Sequence, residues 1–263
     1  MNGKIAIIGC GNLGMSILNG LMNHESFKSR SIFATKRNVT DLSQINSPNV
    51  TVSSDNAKAI RASEIIIVAL KPFNILEVLG ELKDEITKNH SIVSLATGIT
   101  IDEIRSVIGE KASVFRAMPN TGAGVSESMT CICTDEKNEV KKEEVISIFD
   151  AIGKTIYIDE SLMESATVLG ACGIAYVLRF IRAMIQGGIQ IGFDAKTAST
   201  IVAQTVKGAS ELLIENKQHP EYEIDKVTTP KGCTIVGLNE MEHNGFSSSL
   251  IKGLVASFDK IEK

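Results

Sequence analysis

Residues 4–16 read KIAIIGCGNLGMS, and this stretch decides the fold of the first half of the chain. Its apolar run, residues 5–8, is typical of a buried parallel strand. Gly9, Gly11 and Gly14 follow with GxGxxG spacing and lead into a helical pattern of apolar residues. The stretch therefore predicts a strand, a tight turn and the start of a helix.

Each glycine of this turn has a separate physical task. Gly9 makes the turn, Gly11 allows the backbone to approach a pyrophosphate, and Gly14 allows the helix to pack closely on the strand. The first helical turn offers free N–H groups and a positive dipole end to phosphates. We therefore predict that Gly9, Gly11, Asn12, Leu13 and Gly14 bind a dinucleotide; the alternative is a glycine turn with no ligand.

The bulk composition limits the classes of partner. The chain has 263 residues and a formal net charge of −4, which argues against nucleic acid as the main partner. Residues 174–193 form the longest strongly apolar segment, but Arg179 and Arg182 interrupt it. We expect a buried or interface helix there rather than a membrane span.

The cysteines indicate a reducing compartment. Five are scattered along the chain, an odd number with no disulfide pattern, and no secretory signal pattern precedes the first strand. Cys131 and Cys133 have no second Cys or His pair at metal-ligand spacing, so we predict no metal site. A cytoplasmic location fits these features best.

A basic turn, residues 35–37, follows the second predicted strand, residues 31–35. NAD-binding folds usually place an acidic residue there for the ribose 2′-hydroxyl, but this chain has Thr35, Lys36 and Arg37. A hydroxyl and two cations can hold a 2′-phosphate that a carboxylate would repel. We predict that NADP(H) is preferred and NAD(H) is acceptable; the alternative is a solvated basic turn.

Strands and helices alternate as far as residue 158. Further strands are predicted at residues 50–53, 64–70, 91–95, 113–118, 129–134 and 155–158, and helices at residues 55–62, 75–86 and 141–152, with another that Thr100 caps. Ser53 or Ser54 is the expected cap of the helix at 55–62. This alternation predicts an α/β fold, with a Rossmann-type doubly wound sheet over residues 1–159.

The carboxyl ends of these strands meet at one edge of the sheet, where ligands bind in such folds. We therefore also assign to the cofactor Asn56, Ala69, Lys71, Pro72, Ala96 and Thr97. Lys71 has an alternative as a plain charge at a strand end. Asn120, after the strand at 113–118, either binds cofactor or only holds its turn.

From residue 160 the strand pattern is lost. Helices are predicted at residues 161–171, 175–191, 194–216, 232–244 and 247–261, with Ser161, Asp194 and Ser247 as caps. Such helices can hardly bury every apolar face alone, so we expect residues 160–263 to form an all-helical dimerisation domain. The alternative is a compact monomer.

The motif that separates the candidate reductases is HPEYEIDKVTTPKGCTIVGL, residues 219–238. It resembles the signature of pyrroline-5-carboxylate reductases, and the resemblance continues at residues 9–14, 68–72, 94–98, 116–121 and 173–176. It implies NADPH-dependent reduction of 1-pyrroline-5-carboxylate, a cyclic imino acid, to L-proline. It also implies a homodimer through the helical domain or a larger ring of dimers.

Within this motif Pro230 sets the chain just before a helix, and the N–H groups of Gly232, Cys233 and Thr234 are predicted to bind a substrate carboxylate. By the resemblance, the Thr234 hydroxyl contacts the ring nitrogen and is the catalytic candidate; the alternative is an ordinary hydroxyl at a helix start. Glu160 aligns with a substrate-side acidic position, or it only favours a helix amino terminus.

The chain departs from the family pattern at Lys231, Cys233, Gly122, Ile174 and Cys172. Lys231 is the sharpest departure, because a side chain at a glycine position must fit the backbone angles of the turn. Two rival functions follow: a drifted relative that binds NADP(H) without catalysis, and a β-hydroxyacid dehydrogenase. The second would need a lysine on the helix at 175–191, which carries Arg179 and Arg182 instead.

Overall fold

The computed structural model describes residues 3–261. An eight-stranded sheet occupies the first part of the chain, in the order β3-β2-β1-β4-β5-β6-β7-β8. The strands are β1 Ile5–Ile8, β2 Ile32–Thr35, β3 Val50–Ser53, β4 Ile65–Val68, β5 Ser91–Ser94, β6 Ser113–Met118, β7 Ser128–Thr134 and β8 Gly153–Tyr157. The predicted α/β class with a parallel sheet followed by helices is confirmed.

Apolar residues cover both faces of the sheet. Ile5 and Ile7 of β1 belong to one core cluster, and Ala6 and Ile8 belong to the other. Because side chains of a strand alternate between faces, a run that is apolar at every position is buried on both sides. Burial in both core clusters explains why short strands that are apolar at every position form the centre of the sheet.

Five helices pack around the sheet: α1 Asn12–Asn23, α2 Asn56–Arg61, α3 Pro72–Leu82, α4 Ile101–Ile108 and α5 Glu139–Asp150. The predicted cap of α4 is confirmed, since the Thr100 side chain accepts from the Glu103 N–H and the Glu103 carboxylate accepts from the Thr100 N–H. The predicted cap of α2 is wrong. Asp55, rather than Ser53 or Ser54, accepts from the Lys58 N–H at 2.9 Å.

The strand β7 runs antiparallel to β6, whereas the other neighbouring strands are parallel. Only a short turn with the 3-10 helix Thr121–Val125 joins β6 to β7. A parallel neighbour needs a crossover of a dozen or more residues, so this short connection can only return the chain antiparallel. The helix α5 then provides a crossover to β8.

The rest of the chain is helical. After the 3-10 helix Glu160–Leu162 come α6 Met163–Ala166, the π-helical segment Thr167–Cys172, α7 Gly173–Gln190, α8 Ala195–Asn216, α9 Pro220–Lys226, α10 Cys233–His243 and α11 Phe246–Ile261. The helices predicted at 161–171 and 175–191 are thus one continuous segment, because a π turn carries the helix past Gly170 and Gly173. The helix α9 was not predicted.

Of the three predicted caps in this region, Asp194 is confirmed, since its side chain accepts from the N–H groups of Lys196 and Thr197. Ser161 lies inside the 3-10 helix that Asp159 precedes, and no side-chain cap is recorded there. Ser247 lies within α11, which begins at Phe246. Both of these cap predictions are wrong.

The chain divides into two compact units. One comprises the residues up to Ile174 together with those from Phe258 onward, and the other is Ala175–Ser257. The division falls inside α7, whereas the predicted boundary lies before Glu160, where the strand pattern ends.

The helical unit has little interior of its own. Its only buried apolar residues, within the described part of the chain, are Ala198 and Val202 of α8. Large apolar side chains are exposed on α7, α8, α10 and α11, among them Leu178, Ile201, Val236 and Ile251. Apolar surface on this scale marks an interaction site.

The continuous segment Glu160–Gln190 is long and apolar enough to cross a membrane by length and composition alone, since its most apolar 18-residue window has a mean hydropathy of 1.7. The prediction that Arg179 and Arg182 make it too polar is therefore not supported by that criterion. Only 6% of its most apolar window is buried within the chain. Its exposed apolar surface therefore marks a contact site, which either a partner subunit or a lipid phase would bury.

Candidate active site

The glycine turn between β1 and α1 has the geometry that its sequence predicts. Gly9 has a φ of +93°, and a Cβ there would lie 2.6 Å from Leu70 Cδ2. A Cβ at Gly14 would lie 2.6 Å from the carbonyl oxygen of Gly9. Gly11 has nothing within 4 Å of its Cβ position, so its backbone faces open space. Gly9 and Gly14 are required by packing, whereas Gly11 leaves room for a ligand.

The amino end of α1 leaves backbone donors free. Gly11 is the cap residue without a side-chain hydrogen bond, and the Met15 N–H donates to the Gly11 carbonyl at 2.8 Å. The N–H groups of Asn12, Leu13 and Gly14 have no acceptor among residues 3–261. Free donors at the positive end of a helix dipole fit a pyrophosphate.

Asn12 and Leu13 line a cleft of about 920 Å³ at the carboxyl edge of the sheet. All the predicted cofactor residues except Gly14 line it: Gly9, Gly11, Asn12, Leu13, Thr35, Lys36, Arg37, Asn56, Ala69, Lys71, Pro72, Ala96 and Thr97. Gly14 lies behind the turn, against Gly9. The sequence therefore identified one continuous surface.

Several cleft residues were missed: Ser54, Leu70, Asn74, Glu77, Val78, Glu81, Leu95 and Thr121. Four of them share one face of α3, with helical spacing from Asn74 to Glu81. The predicted helix began at Ile75, whereas α3 begins at Pro72. The signal that could have found this face is Pro72 itself, because proline favours the first position of a helix.

The three residues of the basic turn differ in their surroundings. The Thr35 side chain is buried, with 1% exposed, and its hydroxyl lies 3.4 Å from both the Gly9 nitrogen and the Ile7 carbonyl oxygen. Lys36 Nζ lies 2.8 Å from the Asp41 carboxylate. Arg37 is exposed and forms no ion pair with any residue from 3 to 261. Thr35 therefore supports the glycine turn, while Arg37 is the unpaired cation.

Glu160 is partly exposed and pairs with the buried Arg116. Its Oε1 accepts from Arg116 Nη1 at 3.1 Å and from the Ile101 N–H, at the start of α4, at 2.8 Å. Arg116 Nη2 also donates to Glu164 Oε1 at 2.6 Å. Glu160 thus joins β6, α4 and the start of the long helical segment; its predicted contact with substrate stays a prediction.

Burial of Arg116 by itself lowers its pKa, but its hydrogen bonds to Glu164 and Glu160 outweigh that effect and raise the pKa above the ordinary value. Its Nε and the Glu164 Oε2 have no hydrogen-bond partner among residues 3–261. Arg116 is therefore a permanent cation that two carboxylates hold.

Asn120 holds the turn after β6. Its Oδ1 accepts from the Gly122 N–H at 2.9 Å, and its Nδ2 donates to the Gly170 carbonyl, in the π segment, at 3.3 Å. Of the two predicted roles for Asn120, these contacts favour holding the turn, and Thr121 is the neighbour that lines the cleft.

In the helical unit, the motif around α10 places Lys231 at a φ of +60°, the left-handed region that favours glycine. A Cβ at Gly232 would lie 2.5 Å from Thr229 Oγ1, so glycine is required there. The Gly232 N–H donates to the Thr229 carbonyl at 2.9 Å. The prediction that this N–H is free for a carboxylate is wrong, because the turn itself uses it.

The first turn of α10 still offers donors. The N–H groups of Cys233 and Thr234 have no acceptor within the described part of the chain, and no side chain caps the helix. Cys233 is exposed and Thr234 half-buried. Two backbone donors and a hydroxyl thus lie together at a helix amino terminus, which suits a carboxylate.

No group of three or more His, Cys, Asp or Glu side chains between residues 3 and 261 could hold a metal ion. Cys131 and Cys133 lie on β7 and are buried as free thiols. Burial raises the pKa of Cys133 to about 12. These thiols are part of the sheet packing.

Comparison with known proteins identifies the family. Pyrroline-5-carboxylate reductase 2 of Dictyostelium discoideum is 41% identical over 278 residues, which cover 100% of this chain and 93% of the relative. The chain belongs to the pyrroline-5-carboxylate reductase family. Pyrroline-5-carboxylate reductase 1 of the same organism is 44% identical, but the alignment spans 97% of this chain and only 49% of that longer protein.

Two family descriptions match separate parts of the chain. Residues 4–98 match the family described as NADP oxidoreductase coenzyme F420-dependent, and residues 160–263 match pyrroline-5-carboxylate reductase dimerisation. The second range contains the helices whose apolar faces are exposed. The resemblance drawn from residues 219–238 is confirmed.

The fold agrees with solved reductases. The crystal structure of Plasmodium falciparum pyrroline carboxylate reductase with NADP bound has a TM-score of 0.90 and 27% identity, with 99% of this chain and 97% of that chain covered. The pyrroline-5-carboxylate reductase of Coxiella burnetii has a TM-score of 0.87 and 29% identity, with 100% and 98% covered.

Proposed function

We propose that this protein catalyses the NADPH-dependent reduction of 1-pyrroline-5-carboxylate to L-proline. The main support is the single cleft that brings the glycine turn, the basic turn and the ends of β4 and β5 together. It is joined by family membership over the whole length of the chain. The reaction class is oxidoreduction of a carbon–nitrogen double bond, the last step in making proline.

The cleft residues fit a dinucleotide cofactor. The free N–H groups of Asn12 and Leu13 bind the pyrophosphate, and the absence of a side chain at Gly11 allows its close approach. Arg37 and Lys36 bind the 2′-phosphate of NADP(H). NAD(H) is an acceptable second cofactor, because the pyrophosphate contacts are the same for both.

When bound, NADPH supplies the hydride that reduces the imine carbon. The chain itself orients the substrate and assists the flow of electrons onto the imine nitrogen. The N–H groups of Cys233 and Thr234 bind the substrate carboxylate, and the Thr234 hydroxyl donates a hydrogen bond to the ring nitrogen. The proton that completes the amine comes from solvent. Glu160 is a further proposed substrate contact.

The assay is direct. Purified protein is incubated with NADPH and 1-pyrroline-5-carboxylate, and the absorbance of the reduced cofactor is followed; proline is identified by mass spectrometry. A drifted, non-catalytic relative would bind NADPH without turnover, and a β-hydroxyacid dehydrogenase would oxidise hydroxyacids instead. Absence of proline under these conditions would refute the proposal.

Thr234→Ala tests the hydroxyl. We expect a large fall in kcat with an unchanged Kd for NADPH, because the variant keeps the whole cofactor cleft. Thr234→Ser is the matched control and should retain most activity. NADPH binding is measured by nicotinamide fluorescence, since the chain has no tryptophan. An unchanged kcat in Thr234→Ala would remove this residue from the mechanism.

We also propose that the helical unit forms a homodimer, and that dimers assemble into a larger ring. Support comes from the dimerisation family match and from the exposed apolar side chains of α7, α8, α10 and α11. Ile251→Asp, where 59% is exposed, should lower the mass measured by light scattering. Val140→Asp on α5, where 61% is exposed, is the matched control and should leave the mass unchanged.

The proposed location is the cytoplasm, without nucleic acid or membrane as a partner. The buried free thiols Cys10, Cys131 and Cys133 support a reducing compartment. A partner copy that covers Glu160–Gln190 leaves no apolar segment for lipid to cover. Fractionation of source cells tests this: activity in the soluble fraction supports the proposal, and activity that sediments with membranes until detergent is added contradicts it.

A further inference from the structure

Asp41 faces the basic turn of the cofactor cleft. Its Oδ2 lies 2.8 Å from Lys36 Nζ, with 49% of the Asp41 side chain and 31% of the Lys36 side chain exposed. Lys36 lines the cleft, whereas Asp41 does not. The cation that would meet a 2′-phosphate is therefore already paired with a carboxylate of its own chain.

The backbone holds both partners in place. Asp41 belongs to the 3-10 turn Val39–Leu42, where the Asn38 side chain accepts from the Thr40 N–H at 3.2 Å and Leu42 is buried in the core. The Lys36 N–H donates to the Ser53 carbonyl at 3.2 Å, beyond the end of β2. The turn thus places the backbones of Lys36 and Asp41 where their side chains can pair.

This arrangement has an electrostatic consequence for a phosphate in the cleft. A phosphate monoester carries a charge of roughly −1.5 to −2 at neutral pH, so it is attracted by Lys36 and repelled by Asp41. Asp41 therefore offsets part of the attraction between Lys36 and the phosphate. Arg37 is exposed and forms no ion pair within residues 3–261, so no paired carboxylate offsets its attraction for the phosphate.

We propose that Asp41 sets the preference of this chain between phosphorylated and unphosphorylated nicotinamide cofactors, by weakening the contribution of Lys36 to 2′-phosphate binding. Arg37 then carries most of that recognition, and NAD(H) remains usable. The proposal rests on the cofactor use proposed above. It adds a specificity-determining residue that does not itself line the cleft.

The test measures binding rather than turnover. Asp41→Asn keeps the shape of the side chain and removes its charge. The probes are adenosine 2′,5′-bisphosphate and AMP, titrated by calorimetry, and NADPH and NADH, titrated by nicotinamide fluorescence. We expect the Kd for both 2′-phosphorylated ligands to fall about three- to tenfold, with the Kd for AMP and NADH within about twofold of the parent.

Two further variants serve as controls. Asp135→Asn removes a carboxylate with the same exposure, 49%, that pairs with Arg105, and neither of these residues lines the cleft. It should leave all four Kd values unchanged. Asp41→Glu keeps the charge and should keep the parent's selectivity. The gain in affinity of Asp41→Asn for 2′-phosphorylated ligands should also be smaller at 0.5 M salt, because ions screen exposed charges over about 4–5 Å at that ionic strength.

The outcomes are distinguishable. Unchanged or weaker binding of adenosine 2′,5′-bisphosphate by Asp41→Asn overturns the inference. So does a gain that AMP shares equally, or one that Asp135→Asn reproduces. If the parent binds neither NADPH nor adenosine 2′,5′-bisphosphate, the proposed cofactor use fails first, and the role of Asp41 fails with it.

Discussion

Replacing Arg116 with methionine should destabilise the Rossmann unit strongly. Only 2% of the Arg116 side chain is exposed, and its guanidinium donates to Glu164 at 2.6 Å and to Glu160 at 3.1 Å. Methionine fills most of the volume but leaves both carboxylates without their cation. Glu160 keeps the Ile101 N–H, whereas Glu164 loses its recorded partner.

Breaking a buried ion pair by removing one partner costs roughly 3–5 kcal/mol. Glu160 is partly exposed, so solvent screens its interaction with Arg116. We therefore expect a loss of stability at the lower end of this range, about 3 kcal/mol. For a chain of this size each kcal/mol lowers Tm by about 2–4 °C, which gives a fall of roughly 6–12 °C. The double variant Arg116→Met with Glu164→Leu should recover part of the loss, since an apolar replacement removes the orphaned charge.

The measurement is urea unfolding followed by circular dichroism, at one fixed protomer concentration for all variants. Arg105→Met is the control, because Arg105 also forms salt bridges with carboxylates, those of Asp135 and Glu110, but near the surface. It should cost less than about 1 kcal/mol. A loss in Arg116→Met no larger than that of Arg105→Met would refute the assigned importance of burial.

Three further predictions concern the cleft and the thiols. Gly14→Ala should lower stability by about 1–3 kcal/mol and also lower NADPH affinity, because its Cβ would lie 2.6 Å from the Gly9 carbonyl oxygen. Gly11→Ala should weaken NADPH binding but leave stability unchanged. Thermal melts measure stability and calorimetry measures NADPH binding, so the two variants can be distinguished. Arg37→Ser should raise the Kd for NADPH about tenfold or more but hardly change that for NADH, and equal weakening of both would contradict the assignment. Burial raises the pKa of Cys10 and Cys133 to about 12, so iodoacetamide at pH 8 should label neither until urea is added, as peptide mass spectrometry would show.

The sheet could be predicted from sequence because its signals are local. Runs such as Ile65–Val68 are apolar at every position, and only a strand buried on both faces accommodates them. The glycine turn is similar in its spacing, and a Cβ at Gly14 would meet the nearby Gly9 carbonyl, although a Cβ at Gly9 would meet Leu70, just after the neighbouring strand β4. The ends of the strands then fixed which residues share the cleft.

Side-chain partners across the fold could not be predicted in this way. Glu160 meets Ile101 and Arg116, which are far from it in sequence, and nothing in its own neighbourhood indicates either. The pairing of Lys36 with Asp41 depends on how tightly the turn between them folds. Sequence gives the residue types at a site, whereas tertiary contacts decide which of their charges remain available.

The short helix α9 and the continuous path of the chain through Gly170 were missed for a different reason. Pro220 follows His219, whose side chain accepts from the Glu221 N–H, and this helix start lies inside the longer motif at residues 219–238. Glycines at positions 170 and 173 indicated a break, but a π turn accommodates them without one.

The scarcity of buried residues in the helical unit bears on how the protein is made. Only Ala198 and Val202 are buried among the described apolar residues of this unit, so we expect that it cannot complete its folding in isolation. In the proposed homodimer, its final ordering coincides with the association of two chains. Refolding from urea should then contain a phase whose rate increases with protomer concentration, and dilution should lower the thermal midpoint.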